Sequence, residues 1–217
     1  MFKLKAMNIN KIKHFYKNKY ILTPIHHQKY FLCYNYKYKA LWFRVAKVGS
    51  RTIDSYFRRN TPDDQYIYSS PTAYNPNDFA GYFKFAFVRD PLKRFLSAWK
   101  NKVLESNYFQ FSAQEHQKMQ NLDNFIEWVS GFDLRHCDEH LRLQVSLIDI
   151  NNVDFLGRMN NFESDLRKVC NIIGMPIEEV VKKNQTQKQD VELTNNQIYK
   201  IKNLYSIDYQ VFFYNQY

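Results

Sequence analysis

Apolar residues in this chain fall into a few short runs set between stretches with helical spacing. Ala40–Val45 (ALWFRV) and Lys84–Val88 (KFAFV) are short, apolar, β-favouring runs that predict strands. Gln65–Ser69 predicts a further strand with Tyr66 and Tyr68 on one face, and Asp154–Met159 (DFLGRM) another. Thr52–Arg59 predicts a helix, and Asn75–Phe83 a short one. Leu92, Phe95, Leu96, Trp99 and Val103 recur at helical spacing behind Asp90, a good N-cap, and Pro91, a good first helical residue. Leu122–Val129 and His136–Leu147 predict two more helices. Phe162, Leu166, Val169 and Ile173 mark another, stopped by Gly174 with Pro176 just beyond. Val181–Val191 is polar and reads as a loop; Thr194 with Gln197 makes a capping box for a last helix before an aromatic tail. Strands alternating with helices predict an α/β domain around a mostly parallel sheet.

Composition narrows this picture. At 217 residues, 45% of them hydrophobic, the chain can bury a substantial core and is not a disordered polypeptide. No run approaches the ~20 apolar residues of a membrane span, and no signal peptide is evident, so a cytoplasmic and microbial protein is expected. Cys33, Cys137 and Cys170 are few and widely spaced, as in a reducing compartment. From Met1 to Lys39 there are nine Lys and no acid. That segment, 1–39, reads as an irregular or partly helical basic leader ahead of a domain at 40–217. Its field would attract anions.

Two turns carry candidate chemistry. In RVAKVGSRTIDSYF, a turn feeds a helix whose first N–H groups and dipole favour an anion. Gly49 admits a close backbone approach, Ser50 and Thr52 supply hydroxyls, and Lys47 and Arg51 supply charge. The Walker A pattern is absent. In FAFVRDPLKRFLSAWKNK, Arg89 ends a strand, while Arg94 and Ser97 are three apart and neighbour each other on the helix. A guanidinium fork and a hydroxyl suit a phosphate. Both turns follow strands of one sheet, the edge where ligands bind in open α/β folds.

These segments resemble the carbohydrate sulfotransferase family, which includes the chondroitin, dermatan, HNK-1 and heparan 2-O-sulfotransferases. DEHLRLQ (Asp138–Gln144) is similar to the family's His-containing helix, and VDFLGRMNNFESDL (Val153–Leu166) to its YDFIGK-FE-xx-DL stretch. IKNLYSIDYQVFFY is similar to its closing Tyr-x-x-Asp-Phe pattern. The resemblance covers about residues 40–214. It implies a three-layer, nucleotide-kinase-like α/β sandwich and 3′-phosphoadenosine-5′-phosphosulfate (PAPS) as sulfuryl donor. It also implies a hydroxyl acceptor, most simply a glycan; sulfuryl transfer as a loose in-line displacement, stabilised by positioning and charge, requires no metal. The turn Ala46, Lys47, Val48, Gly49, Ser50, Arg51 and Thr52 would hold the 5′-phosphosulfate, with Lys47 on the bridging oxygen. Arg89, Arg94 and Ser97 would hold the 3′-phosphate.

A general base is also needed. Gln65–Lys84 contains no His, leaving Asp63, Asp64, Asp78, His136 and His140 as candidates; the family segment favours His140. His136, Cys137 and His140 could ligate zinc, but no second cluster completes a site. Adjacent His26 and His27 point apart in any regular element. Two rival functions share some of these features. A small-molecule kinase would use the same scaffold but lacks a Mg²⁺-binding carboxylate and a Walker A loop. A basic nucleic-acid-binding module would explain the Lys–aromatic leader (KIKHFYKNKYI) but not the two turns.

Overall fold

The computed structural model describes residues 12–177 and 191–212. The expected loop Val181–Val191 lies, but for its last residue, outside them. By its contacts the chain falls into two compact units. One runs through Val45 and takes in Gly49–Phe87 and the segment from Leu147. The other comprises Ala46–Val48, Val88–Ser146 and the C-terminal helices.

The first unit holds a five-stranded sheet in the order β3-β1-β2-β4-β5. The strands are β1 (Tyr30–Asn35), β2 (Ala40–Phe43), β3 (Tyr66–Thr72), β4 (Phe83–Val88) and β5 (Phe155–Arg158). Strands β2 and β4 run parallel, with Trp42 opposite Phe85 and Phe43 opposite Ala86. Leu41, Trp42, Phe43, Phe85, Ala86 and Phe87 are all buried, which is why these strands read as continuous apolar runs.

The architecture is α/β as expected, and the sheet is mixed. Strand β1 pairs antiparallel with both β2 and β3. It lies inside the segment read from sequence as an irregular or partly helical leader. A short turn closes β1 onto β2, with Lys39 at φ +48°, and so short a connection permits only antiparallel pairing.

Besides a π-helix at Ile12–Leu22 and a turn of α-helix at Thr23–Ile25, two longer α-helices belong to this unit among the described residues. Helix α1 (Ser50–Asn60) buries Thr52, Ile53, Tyr56 and Phe57, a stripe with helical period. A later helix, Phe162–Ile173, ends at Gly174 with φ +68°. There Met175 N donates to Cys170 O and Gly174 N to Asn171 O, the Schellman pattern its sequence predicts.

The second unit is helical. Helix α2 (Pro91–Trp99) is capped by Asp90, whose carboxylate accepts from Lys93 N at 2.8 Å. It runs into a π-helical turn at Lys100–Leu104. Helices α3 (Ala113–Met119) and α4 (Leu122–Ser130) follow. The helix at Phe162–Ile173 is α5, and α6 (Asn195–Leu204) and α7 (Ser206–Phe212) close the chain. Thr194 and Gln197 make both bonds of the capping box ahead of α6.

The helix expected at His136–Leu147 does not form. Asp133 Oδ1 accepts from Arg135 N and Asp138 Oδ1 from His140 N, both at 2.9 Å. Such local carboxylate–amide bonds compete with the helical ladder and hold the segment in successive turns.

Candidate active site

Beyond β2 the chain enters a turn with two left-handed residues, Lys47 at φ +71° and Gly49 at φ +80°, and with Val48 between them at negative φ. Glycine takes this conformation freely, whereas a lysine there costs about 1 kcal/mol or more and must be held by its surroundings. In the second unit, Arg94 Nε donates to Ala46 O at 3.1 Å and Arg89 Nη1 to Lys47 O at 3.2 Å. In the first unit, Ser50 Oγ donates to Val45 O at 2.6 Å, and Gly49 O accepts from Thr52 N and Ile53 N. Alternating φ signs of this kind turn successive N–H groups to one side, the backbone geometry of anion-binding concavities in proteins generally. Ser50 and Arg51 lie in the first turn of α1, where N–H groups have no intrahelical acceptor.

Gly49 is required for a second reason. A methyl group in place of its hydrogen would stand 2.6 Å from Phe162 Cε2. The aromatic residue at the start of α5 thus fixes how bulky the turn can be.

The turn after β4 meets residues 46 and 47 through those bonds, all within the second unit. Arg89 is half-buried, and burial pulls its guanidinium below its ordinary pKa, with Asp90 opposing. Its main chain is held by Gln144, whose Oε1 accepts from Arg89 N at 3.0 Å and whose Nε2 donates to Arg89 O at 2.9 Å. Gln144 is held in turn by Asp208: Gln144 N and Val145 N donate to its two carboxylate oxygens at 2.9 and 3.0 Å. Burial raises the Asp208 pKa, partly offset by those amides and by Arg94.

Arg94 has a different placement from the one its helical spacing to Ser97 implied. It is 1% exposed. Its guanidinium donates to the carbonyls of Ala46, Arg142 and Glu139, the last two at 2.8 Å. This geometry ties the Lys47 turn to the 139–142 segment. Ser97 is half-buried on α2.

Lys47 Nζ donates to Asn101 Oδ1 at 3.0 Å, and Asn101 Nδ2 to Glu105 Oε2 at 2.8 Å. Asn101 stands in the π-helical turn, where one extra residue per turn redirects side chains. No pattern in the sequence announces that turn.

His140 Nδ1 lies 2.8 Å from Asp138 Oδ1, and Tyr108 Oη donates to Asp138 Oδ2 at 3.1 Å. The Tyr108 ring packs edge-on against His140 at 5.0 Å, and Lys102 Nζ lies over the Tyr108 ring, 3.8 Å from its centroid. Burial would raise the Asp138 pKa, but bonds from the His140 ring and amide, its charge and Tyr108 bring it below the usual carboxylate value. Since a carboxylate only accepts, neutral His140 bears its proton on Nδ1 and presents the Nε2 lone pair.

The other base candidates are placed differently. His136 is exposed and bonded to Asp133 at 2.7 Å. Asp63 and Asp64 are exposed in a 3₁₀ turn, and Asp78 pairs with Lys17 at 2.7 Å. Among the described residues, no group of three or more His, Cys, Asp or Glu could hold a metal ion. Sequence reasoning missed Gln144, Asp208, Asn101 and Asp138, although the DEHLRLQ and closing Tyr-x-x-Asp segments contain three of them.

The family described as "Sulfotransferase family" matches residues 31–215, from β1 to beyond α7. The chain belongs to the sulfotransferase family. Its mixed five-stranded sheet and α/β character agree with the fold of sulfotransferases. Among curated proteins, the sulfotransferase is 30% identical over 111 residues to mouse carbohydrate sulfotransferase 14, covering 44% of this chain and 30% of that protein. It is 26% identical over 155 residues to the human protein of the same name, covering 62% of this chain and 41% of that one. The matches therefore span less than half the length of these relatives. No solved structure matches. Among the described residues, no helix is long and apolar enough to cross a membrane.

Proposed function

We propose that this sulfotransferase moves a sulfuryl group from PAPS to a hydroxyl of a carbohydrate. The observation that carries the reading is the left-handed Lys47–Gly49 turn, whose preceding carbonyls at Ala46 and Lys47 are bound by Arg94 and Arg89. A turn so restrained presents backbone N–H donors with little reorganisation when an anion binds, and such preorganisation dominates transfers of charged groups.

PAPS, when bound, supplies the activated sulfuryl group. The amides at Gly49–Arg51 and the Arg51 charge would hold its 5′ end, joined by the Thr52 hydroxyl and by the Ser50 hydroxyl turning from Val45 O. Lys47 Nζ would offer a proton-bearing cation to the bridging oxygen as charge develops there. Arg89 and Ser97 would bind the 3′-phosphate, the group that distinguishes PAPS from simpler nucleotides. Arg94 serves as the brace of the turn. His140 Nε2 would accept the proton of the acceptor hydroxyl, with Asp138 orienting the ring and favouring the imidazolium as it forms. The relatives' printed name supports a carbohydrate acceptor.

Calorimetric titration with 3′-phosphoadenosine-5′-phosphate, beside ATP and AMP, tests the donor site. Selective binding that weakens in Lys47→Ala and Arg89→Ala is expected. Equal, weak binding of all three nucleotides would overturn the reading.

A further inference from the structure

The helical segment ahead of the sheet turns two polar side chains inward beside Phe15, whose ring packs on Tyr34 at 5.7 Å. His14 and Asn18 of the π-helix Ile12–Leu22 are buried, at 5% and 0% exposure. The His14 ring lies against Phe79 at 4.6 Å and Tyr82 at 5.4 Å, and Asn18 Nδ2 donates to Tyr34 Oη at 3.2 Å. Thr23 Oγ1 donates to Asn18 O at 2.6 Å and accepts from Ala73 N at 2.9 Å. The side turned outward is apolar: Tyr20 is 62% exposed, Ile21 57% and Ile25 70%, with Tyr16 beside them. A helix folded only for its own domain does the reverse, burying its apolar stripe and leaving polar side chains in water.

The wide π turn sets i and i+4 side chains one above the other. Tyr16 and Tyr20 stack with centroids 6.1 Å apart and planes 9° apart, and Ile21 and Ile25 follow at the same spacing. Lys19 Nζ lies 5.2 Å from the Tyr20 ring, and exposed His26, His27 and Lys29 continue the segment. No carboxylate occurs before Asp54.

We propose that this outward face lies on the surface of a bilayer containing anionic phospholipid. Tyrosine rings seat at the boundary of headgroups and acyl chains, branched aliphatic residues enter the acyl layer, and lysines meet lipid phosphate. The two isoleucines decide against a glycan as occupant, because a branched alkyl group offers a sugar neither a hydrogen bond nor a stacking face. With Lys17 paired to Asp78, the charge left among the described side chains of this segment is that of Lys19 and Lys29, and it weighs against a second copy, since two-fold docking sets like charges together. The inference is independent of the donor site.

The test is flotation of the full chain with vesicles of phosphatidylcholine alone and of phosphatidylcholine mixed equally with phosphatidylglycerol. Flotation only with the anionic vesicles is expected. Ile21→Ser combined with Ile25→Ser should weaken it about tenfold or more, from loss of buried alkyl area. Ile172→Ser, at an equally exposed isoleucine on α5, should leave it unchanged. Far-ultraviolet circular dichroism and titration with 3′-phosphoadenosine-5′-phosphate should match wild type in all variants. Failure of the wild-type chain to float would overturn the proposal, as would flotation that the double variant leaves intact. A dimer in sedimentation that the double variant dissociates would assign the face to a second copy instead.

Discussion

The Gln144 side-chain amide and the Arg89 main chain exchange two hydrogen bonds, of 3.0 and 2.9 Å, across 55 positions of sequence. Arg89 follows directly on β4, so Gln144 pairs with its backbone much as a further strand residue would. Asp208, from the end of the chain, braces Gln144 in its turn. A candidate phosphate ligand is thus positioned by two residues with no role in charge recognition.

Gln144→Leu should therefore weaken 3′-phosphoadenosine-5′-phosphate binding although no ligand contact is removed. It leaves the Arg89 N–H and C=O without their partner, which costs about 1–3 kcal/mol per unpaired buried group. Thermal melting should fall, and calorimetry should show weaker binding with an unaltered preference over AMP. Unchanged melting would mean that water replaces the amide.

Arg94 and Arg89 should fail differently. Arg94→Lys keeps the charge but cannot reach three carbonyls with a planar fork, so stability should drop by about 2–4 kcal/mol. Arg89→Lys should leave stability within about 1 kcal/mol and weaken nucleotide binding instead. Chemical denaturation and calorimetry on both variants separate bracing from binding.

Gly49→Ala combines a positive φ with a contact 2.6 Å from Phe162 Cε2. The expected loss is about 1–3 kcal/mol, with weaker nucleotide binding from a displaced turn. Adding Phe162→Leu to make room should recover part of the stability, since the backbone strain would remain. A double-mutant cycle in denaturant measures that coupling.

Asp138→Asn should lower kcat at least tenfold while leaving KM for the donor nearly unchanged, by allowing the wrong His140 tautomer. The sign of the linked pH effect follows from the depressed Asp138 pKa. Its folded value lies below its unfolded value, so its contribution to stability is present above the ordinary carboxylate range. That contribution is lost as pH falls through the folded value. Acid denaturation of Asp138→Asn should accordingly be shallower below about pH 4 than that of wild type.

Local pattern was enough to place β2, β4 and β5, the cap of α2, the stop at Gly174 and the capping box before α6, because each is set by residues within a few positions. It also marked the turns after β2 and β4 as candidate sites, since a strand, a glycine or N-cap and a basic helix start are all contiguous. Tertiary packing decided the rest. Arg94 turned inward because carbonyls 45–48 positions away needed donors in a space closed to water. Lys47 took a left-handed backbone because two guanidiniums hold the carbonyls of Ala46 and Lys47. Strand β1 and the inward-facing His14 and Asn18 were hidden in a basic segment, where composition resembles that of a solvated leader. The turns at 133–147 overrode a helical spacing through two aspartates. Composition fixes which groups must find partners; only the folded chain decides which distant groups those partners are.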